Sequence, residues 1–226
     1  MFNFDTNLKT KAKMKTFNLC ALALLLTISF SCKEAKKGDG NLEKKAEMAR
    51  SEKFNLVKDS TKVSFTAYKT TEKVPVGGQF TKINITKAGE GDSALEAMNG
   101  TEFSIPVSSL FTNDATGTRD PKILEFFFGV MENTELISGV FKVSGDRKCS
   151  IDVTLNGETK NIPLDYEMDG DDRFAFNGVM NLENWDALGA VTSINKACEV
   201  LHTGKDGVSK TWSEVAVKAV VLLQQN

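Results

Sequence analysis

Residues able to perform acid–base or metal chemistry are scarce in this sequence. Its 226 residues include a single histidine, His202, and four cysteines. Histidine supplies many general acids, general bases and zinc ligands, so one copy leaves little material for such a site. The CxxC, HExxH, P-loop and GxSxG motifs are all missing. We therefore expect no catalytic residues, no metal ligands and no cofactor, and a protein that is not an enzyme.

Charged residues nearly balance, with 28 Lys and Arg against 30 Asp and Glu. Nucleic-acid binding usually requires a clustered basic excess, so we expect no nucleic-acid partner. The hydrophobic fraction of 41% is sufficient for a packed core. The composition therefore favours a binding or structural protein.

Two cysteines, Cys149 and Cys198, have two interpretations. In an oxidising compartment an even pair is typical of a disulfide, which here would join a strand to a helix. The alternative is two buried, unpaired thiols that pack as small apolar groups. The sequence leaves both interpretations open.

Residues 1–31 are predicted to be an export signal and not part of the fold. Lysines at positions 9, 11, 13 and 15 precede an uncharged run over residues 19–30. That run has 12 residues, whereas a membrane-spanning helix needs about 20. Met14 opens an equally suitable start, which would make the true signal shorter.

The signal ends in Ser29-Phe30-Ser31-Cys32, which resembles a bacterial lipobox. Cys32 is then the predicted lipid-attachment residue, and residues 32–52 form a polar, lipidated tether. Ordinary signal cleavage fits the same serines and would instead release a soluble protein beginning at Cys32. The lipobox interpretation predicts an exported cell-envelope lipoprotein, periplasm-facing or in the outer membrane, held by two or three acyl chains.

Residues 53–226 form one predicted domain in which apolar and polar residues mostly alternate. Alternation with a period of two is typical of half-buried strands. Asn156-Gly157, between two alternating runs, predicts a type I′ hairpin. Gly77-Gly78 within residues 74–86 predicts a bulge or a sharp bend.

Two segments break this alternation and are predicted to be helices. Asp120 as N-cap and Pro121 in the first turn predict a short helix that runs to Phe128. Apolar residues recur every three or four positions over residues 186–202, which predicts the second helix. Many strands and only two short helices are typical of an antiparallel sandwich or closed barrel.

Several short motifs follow one another over about 170 residues: Val63-Ser64-Phe65, Val76-Gly77-Gly78-Gln79-Phe80, residues 103–110, Thr118-Arg119-Asp120 and residues 153–160. In this order they resemble the YceI-like family of lipid- and polyisoprenoid-binding proteins, and the block from Trp185 to Trp212 resembles a lipoprotein branch of it. The resemblance implies a mainly β, lipocalin-like, eight-stranded antiparallel barrel with an elongated apolar cavity. It implies a long-chain amphiphile as ligand (a polyisoprenoid, a quinone or a fatty-acid derivative), and a barrel able to pair as a homodimer.

Cavity-lining candidates follow from the alternation, because every second residue of a strand points inward. They are Phe65, Phe80, Phe103, Ile105, Val153, Leu155, Phe174, Phe176, Val217, Ala219 and Val221. Each could equally belong to a solid core.

Arg119 is the candidate for an amphiphile's head group, because its planar guanidinium pairs with phosphate or carboxylate. The alternative is that Arg119 pairs with Asp120 or caps a loop. The aromatic run Phe126-Phe127-Phe128 is either a lid over the barrel mouth or simple packing of a helix on the barrel.

Three functions remain. The first is a lipid or isoprenoid carrier, which requires a hollow barrel. The second is an envelope interaction module with a solid barrel and a docking surface near Trp185 and Trp212. The third is an enzyme acting on a bound lipid, for which the sequence offers few ionisable groups.

Overall fold

The computed structural model describes residues 53–225. The predicted export signal, the lipidated Cys32 and the tether lie outside the described residues. The described residues form one compact unit. None of the helices within residues 53–225 has the length and apolar content needed to cross a bilayer.

One antiparallel sheet of twelve strands dominates the described residues. Its strands are β1 (Phe54–Leu56), β2 (Lys62–Lys69), β3 (Val74–Phe80), β4 (Asn84–Lys87), β5 (Glu90–Gly91), β6 (Glu102–Pro106), β7 (Leu110–Phe111), β8 (Leu136–Val143), β9 (Cys149–Leu155), β10 (Glu158–Asp169), β11 (Arg173–Asn181) and β12 (Glu214–Gln225). Eight of them, β2, β3, β6 and β8 to β12, have five or more residues. These eight are the principal strands of the barrel, and the prediction of a mainly β, lipocalin-like antiparallel fold is confirmed.

The sheet order is β4-β6-β8-β9-β10-β11-β12-β2-β3-β7, with β1 beside β12 and β5 beside β1. Among the described residues no strand pairing joins the two ends of this order, so hydrogen bonds do not close the barrel. The sheet is a curled half-barrel with short strands, β4 and β7, at its ends.

The hairpin between β9 and β10 is the one that the sequence predicts. Leu155 pairs with Glu158, and the two residues between them have φ of 52° at Asn156 and 74° at Gly157. Both positive values are those of a type I′ turn, whose twist matches that of the strands.

In the part of the chain that the structure describes, four α-helices accompany the sheet: α1 (Ala94–Met98), α2 (Arg119–Phe126), α3 (Leu188–Ala197) and α4 (Glu199–His202). Both predicted helices are present, but the second is broken at Cys198 into α3 and α4, and α1 was not predicted. A capping box defines the start of α1, in which the Ser93 hydroxyl accepts from the Glu96 N–H and the Glu96 carboxylate accepts from the Ser93 N–H.

The prediction that Asp120 caps its helix is wrong. Thr118 is the N-cap of α2, and Asp120 lies inside the first turn. The Asp120 carboxylate accepts hydrogen bonds from the backbone N–H (3.1 Å) and the hydroxyl (2.5 Å) of Thr112. It therefore ties the helix to the preceding loop.

The predicted bulge at Gly77-Gly78 is also wrong, because β3 pairs with β2 in unbroken register from Val74 to Phe80. Gly78 lies opposite Phe65, and a Cβ at position 78 would overlap the Phe65 ring. The glycine is required by this close approach, which the sequence could not show.

The same arrangement recurs at two other strand pairs. Phe103 lies opposite Gly139, and Leu164 lies opposite Gly178. A Cβ at Gly139 would be 2.8 Å from the Phe103 ring, and one at Gly178 would be 2.7 Å from Leu164 Cδ2. In all three pairs a large side chain occupies the space above a glycine. Because the glycine has no Cβ, that side chain can lie flat along the sheet.

Gly139→Ala tests this packing. The added Cβ meets both Phe103 and the carbonyl oxygen of Asp152, which as backbone cannot move aside. We expect the free energy of unfolding, measured by chemical denaturation, to fall by about 1–3 kcal/mol or more.

Gly145→Ala is the matched control, since a Cβ there meets nothing within 4 Å. We expect it to change stability by no more than about 0.5 kcal/mol. Equal stability of the two variants would contradict the packing described here.

Candidate functional site

The concave face of the sheet encloses a cavity of about 710 Å³. Its walls come from the long strands, and α2, α3 and α4 contribute Ile123, Val191, Ile194 and Leu201. Cavities that bind small ligands usually measure about 300–1,000 Å³ and are mostly apolar. The barrel is hollow, so the interpretation of these inward residues as a solid core is wrong.

Exposure of the inward residues reflects this hollow interior. Val63, Phe65 and Ala67 follow one another on the inner face of β2, yet each is only half-buried. Val217 and Ala219 on β12 behave in the same way. In a solid core such residues would be fully buried. Their exposed surface therefore faces the cavity.

Ten of the eleven predicted cavity residues line this space: Phe65, Phe80, Phe103, Ile105, Val153, Leu155, Phe176, Val217, Ala219 and Val221. Phe174 does not. It is 2% exposed and packs with Phe176 and Tyr166 in a separate buried cluster. The inward direction predicted for these strands is correct, and contact of the ten residues with a ligand stays a prediction.

Sequence reasoning missed the helical part of the wall. Val191, Ile194 and Leu201 were recognised only as the apolar stripe of a helix, with no indication of what that stripe faces. Phe127 and Phe128 also line the cavity and pack edge to face, with ring centroids 5.1 Å apart. These two residues of the aromatic run therefore form part of the wall between α2 and the barrel.

Most of the polar lining residues gather where β2 ends, near α2 and α4, whereas Thr61 and Thr101 line the cavity elsewhere. Lys69 is the last inward residue of β2 and pairs with Thr211 across an isolated antiparallel bridge. The Thr211 hydroxyl lies 2.7 Å from His202 Nδ1 and donates to Asn195 Oδ1 at 2.8 Å. Lys122 on α2 lines the same region.

This end of the cavity is also its mouth. Among the lining residues, Thr116, Thr118 and Leu201 are exposed at this end. Lys218 is exposed as well, but its strand position puts it on the outer face of β12, between Val217 and Ala219. At the other end, Met98, Phe141 and the other lining side chains of the second buried cluster seal the cavity.

Arg119, the predicted head-group residue, lies in this polar region. It does not pair with Asp120. Its guanidinium lies 3.6 Å from the Asp114 carboxylate, which also accepts hydrogen bonds from the Thr116 hydroxyl and from the backbone N–H groups of Thr118 and Arg119. These bonds hold the pKa of Asp114 below its usual value, with the Thr116 hydroxyl as the largest cause.

Burial is the largest cause that lowers the pKa of His202, and the positive charges of Lys69 and Lys122 lower it further. The imidazole therefore favours its neutral form. Its hydrogen bond to Thr211 fixes the ring, and among residues 53–225 no carboxylate is bonded to it that would activate it as a general base.

Cys149 and Cys198 are buried free thiols, so the interpretation as a disulfide between them is wrong. Cys149 packs in the second buried cluster, whereas Cys198 lines the cavity. Burial raises the pKa of the Cys149 thiol. A raised pKa disfavours the reactive thiolate and is consistent with a packing role.

The two tryptophans do not form a docking surface. Trp185 is 1% exposed, and its indole N–H donates to the carbonyl of Val153 at 3.0 Å. Trp212 is half-buried, lines the cavity, and donates to the carbonyl of Thr70 at 2.8 Å. Both indoles pack within the fold, so the tryptophans themselves offer no docking surface, whereas Leu188, Val200, Leu201 and Val208 of the block between them are exposed. Docking of a partner on this block stays a prediction.

A pH titration tests the environment of His202. Its pKa is lower in the folded than in the unfolded state, so protonation destabilises the fold as pH falls below the unfolded value of about 6.5. We expect the free energy of unfolding to decrease between pH 7 and pH 5 in the parent protein and to stay nearly level in His202→Asn. The carboxyl groups with lowered pKa values change the free energy of unfolding only at lower pH, where they become protonated.

A direct check is available because the chain has one histidine. The imidazole signals in an NMR titration should have a midpoint below 6.5. A midpoint at or above that value would contradict the assignment of burial and neighbouring lysines as the cause.

The model of the YceI-like domain matches residues 54–221. No curated protein matches the sequence. Among solved structures, a polyisoprenoid binding domain from Saccharophagus degradans, implicated in plant cell wall breakdown, superposes with a TM-score of 0.53 at 12% identity, over 76% of this chain and 98% of that one. This likeness supports the fold alone.

Two further structures are similar at lower scores. Burkholderia cenocepacia BcnA has a TM-score of 0.46 at 15% identity, covering 75% of this chain and 99% of its own. The Campylobacter jejuni YCEI protein has 0.45 at 18%, covering 67% and 85%. The family match spans most of the chain and every strand from β1 to β11, and on that basis the chain belongs to the YceI-like domain family.

Proposed function

We propose that this protein binds a long-chain amphiphilic lipid, a polyisoprenoid or a related chain, in the cavity of its barrel. The observation that carries the proposal is the largely apolar wall around about 710 Å³ of space, whose inward charged side chains, Lys69, Asp114, Arg119 and Lys122, lie near one end. Each Å² of apolar ligand surface removed from water contributes roughly 25 cal/mol. A tail lying along Phe65, Phe103 and Val217 would gain most of its affinity in this way.

Membership of the YceI-like family supports this assignment. The Saccharophagus degradans domain is named as polyisoprenoid binding, and its fold is the one found here. Catalysis forms no part of the proposal, because the cavity's histidine lies beside two cations and its Nδ1 is bonded to a threonine. The family's pairing into homodimers stays a prediction for this chain.

Cell-envelope location is the second part of the proposal. A cavity for a lipid is of use where lipids are exchanged, and the sequence places a lipobox-like Cys32 ahead of a polar tether. An acylated Cys32 would keep the barrel within reach of a bilayer. Its mouth could then receive or deliver an amphiphile without diffusion through the aqueous phase.

Lipid extraction and native mass spectrometry test ligand binding. We expect the purified protein to carry a stoichiometric amphiphile, and Ala219→Phe to reduce its occupancy severalfold, because the new ring fills space inside the cavity. Ala216→Phe is the matched control, since Ala216 lies on the same strand but outside the cavity lining. An empty protein that also takes up no added polyprenyl, quinone or fatty-acid ligand would refute the proposal.

Metabolic labelling with a radioactive fatty acid tests the anchor. In a bacterial host, we expect the full chain to be labelled and to fractionate with membranes, and Cys32→Ser to lose both label and membrane attachment. Cys20→Ser, which lies within the hydrophobic run of the signal, should retain both. Unlabelled protein in the soluble fraction would support ordinary signal cleavage instead.

A further inference from the structure

Exposed apolar side chains cluster at the mouth of the cavity. In α4, Val200 is 88% exposed and Leu201 is 58% exposed, and Val208 in the following loop is 49% exposed. Single exposed apolar residues are common on soluble proteins, whereas a group of them usually marks a surface that another molecule covers. We refer to these three residues as the mouth patch.

Backbone contacts hold the mouth patch together. The Gly204 N–H donates to the carbonyl of Val208 at 2.9 Å, and Thr203 forms a bridge with Ser209. The loop therefore turns back toward α4, where the Thr203 hydroxyl donates to the carbonyl of Glu199 at 2.7 Å. Helix and loop are thus joined into one surface.

This surface is continuous with the cavity. Leu201 is exposed on the outside and also lines the cavity. Across the loop, the Thr71 hydroxyl donates to the Asp206 carboxylate at 2.6 Å, and Val74 at the start of β3 is 41% exposed. A molecule that covers the mouth patch therefore also reaches the opening of the cavity.

The sealed end presents a different surface. The turn between β10 and β11 carries Asp169, Asp171 and Asp172, which are all exposed. This turn belongs to the sealed end, because the carbonyl of Asp172 accepts from the N–H of Leu223 at 2.8 Å. An anionic bilayer surface repels three carboxylates, so charge disfavours approach of the barrel by this end.

Charge around the mouth patch favours the opposite orientation. Within residues 196–210, three lysines outnumber the two acidic residues, Glu199 and Asp206. The Asp206 carboxylate is already bonded within the fold. Lysines beside exposed apolar side chains are typical of segments that rest on anionic membranes.

The chain ahead of the barrel is long enough for the mouth to reach a bilayer. Cys32 lies 21 positions before Lys53, and the chain enters the barrel at β1, which packs at the sealed end. An extended chain covers at most about 3.3–3.6 Å per residue, which gives roughly 70 Å over this segment. The barrel is at most about 40 Å long, because its longest strands have 12 residues. A protein anchored at Cys32 can therefore turn its mouth toward the membrane that holds it.

We propose that the mouth patch docks on the surface of a lipid bilayer, with Val200, Leu201 and Val208 entering the head-group region so that the cavity opens onto it. This inference rests on the proposed function, because a bilayer is the partner that both holds an acylated chain and contains the amphiphile. A protein on the patch would cover the mouth without supplying a ligand. Three side chains make docking reversible, and the anchor keeps the local concentration of lipid high.

Tryptophan fluorescence tests the docking. The full chain, purified from membranes of a bacterial host, is reconstituted into vesicles of phosphatidylethanolamine and phosphatidylglycerol whose brominated acyl chains quench nearby tryptophans. We expect Val200→Trp to add a blue-shifted emission that these lipids quench. Met168→Trp is the matched control, since Met168 is 55% exposed at the sealed end and its emission should not be quenched. The parent protein supplies the background from Trp185 and Trp212.

The same geometry can be built without acylation. An unacylated Cys32 thiol is coupled to a maleimide lipid in the same vesicles, and Cys149 and Cys198 do not compete because both are buried. The expected quenching of Val200→Trp and of Met168→Trp is unchanged. The test of docking therefore does not depend on the mode of attachment.

Val208→Asp identifies the surface responsible. Introduced into the Val200→Trp protein, it should reduce the quenching severalfold, because docking would bring a carboxylate into an anionic head-group region. Val179→Asp is the matched control, since Val179 is 57% exposed on the outer face of β11, and it should leave the quenching unchanged. Val208 lies outside the cavity lining, so the bound amphiphile should be retained in both variants, which also shows that they are folded.

The outcomes separate docking from lipid binding. Quenching of neither tryptophan, equal quenching of both, or quenching that survives Val208→Asp overturns the docking proposal. A patch that binds a protein instead gives no quenching in these protein-free vesicles. Failure of the proposed function is detected separately, as the absence of any bound amphiphile by mass spectrometry of the same samples.

Discussion

The packing of large inward side chains over glycines on neighbouring strands gives the inner wall of the barrel its shape. Phe65 covers Gly78, Phe103 covers Gly139, and Leu164 covers Gly178. Side chains held against the sheet occupy the wall and not the centre, and the centre stays open. A side chain larger than hydrogen at any of these glycines would push its partner inward or part the strands.

Two buried clusters stabilise the hollow barrel. One lies at the sealed end, where α1, β1 and the last residues of β12 bring together Ala97 and Leu223, neither of them exposed. The other surrounds Trp185, whose indole is bonded to the backbone of β9. Residues of both clusters, among them Phe141 and Val153, also line the cavity, so its wall is continuous with the buried core.

The hairpin residue Asn156 connects the cluster around Trp185 to the helices. Its amide donates to the carbonyl groups of Trp185 (2.8 Å) and Asp186 (3.2 Å) and accepts from the N–H of Glu132 (2.8 Å). The short segment that leads into α3 is thus attached to the tip of a hairpin. This attachment positions α3 and α4, and with them His202, at the mouth of the cavity.

The alternation of apolar and polar residues in the sequence determined much of the fold of this protein. The inward rows of β2, β6, β9 and β12, the hairpin at Asn156-Gly157 and the presence of two helical segments depend on local periodicity and turn chemistry, which act between near neighbours in sequence. Applied to β11, the same rule correctly predicts that Phe174 points inward. It wrongly predicts that Phe174 lines the cavity, because the residue packs in the buried cluster at the sealed end. The position of a residue along the barrel, and therefore whether it meets the cavity or a packed end, depends on strand register.

Tertiary structure alone decided the polar end and the openness of the barrel. Lys69, Lys122 and His202 are far apart in sequence, and none has a local pattern that marks it as part of a shared site. The bridge between Lys69 and Thr211 and the bond from Thr211 to His202 bring two of them together, and Lys122 lies close enough for its charge to lower the pKa of His202. Of the glycines that keep the cavity open, Gly78 gave only the signal of a bulge or a bend, and Gly139 and Gly178 gave none, because what they accommodate is a side chain on another strand. The sequence determined which residues face inward, and long-range packing determined how much space they leave.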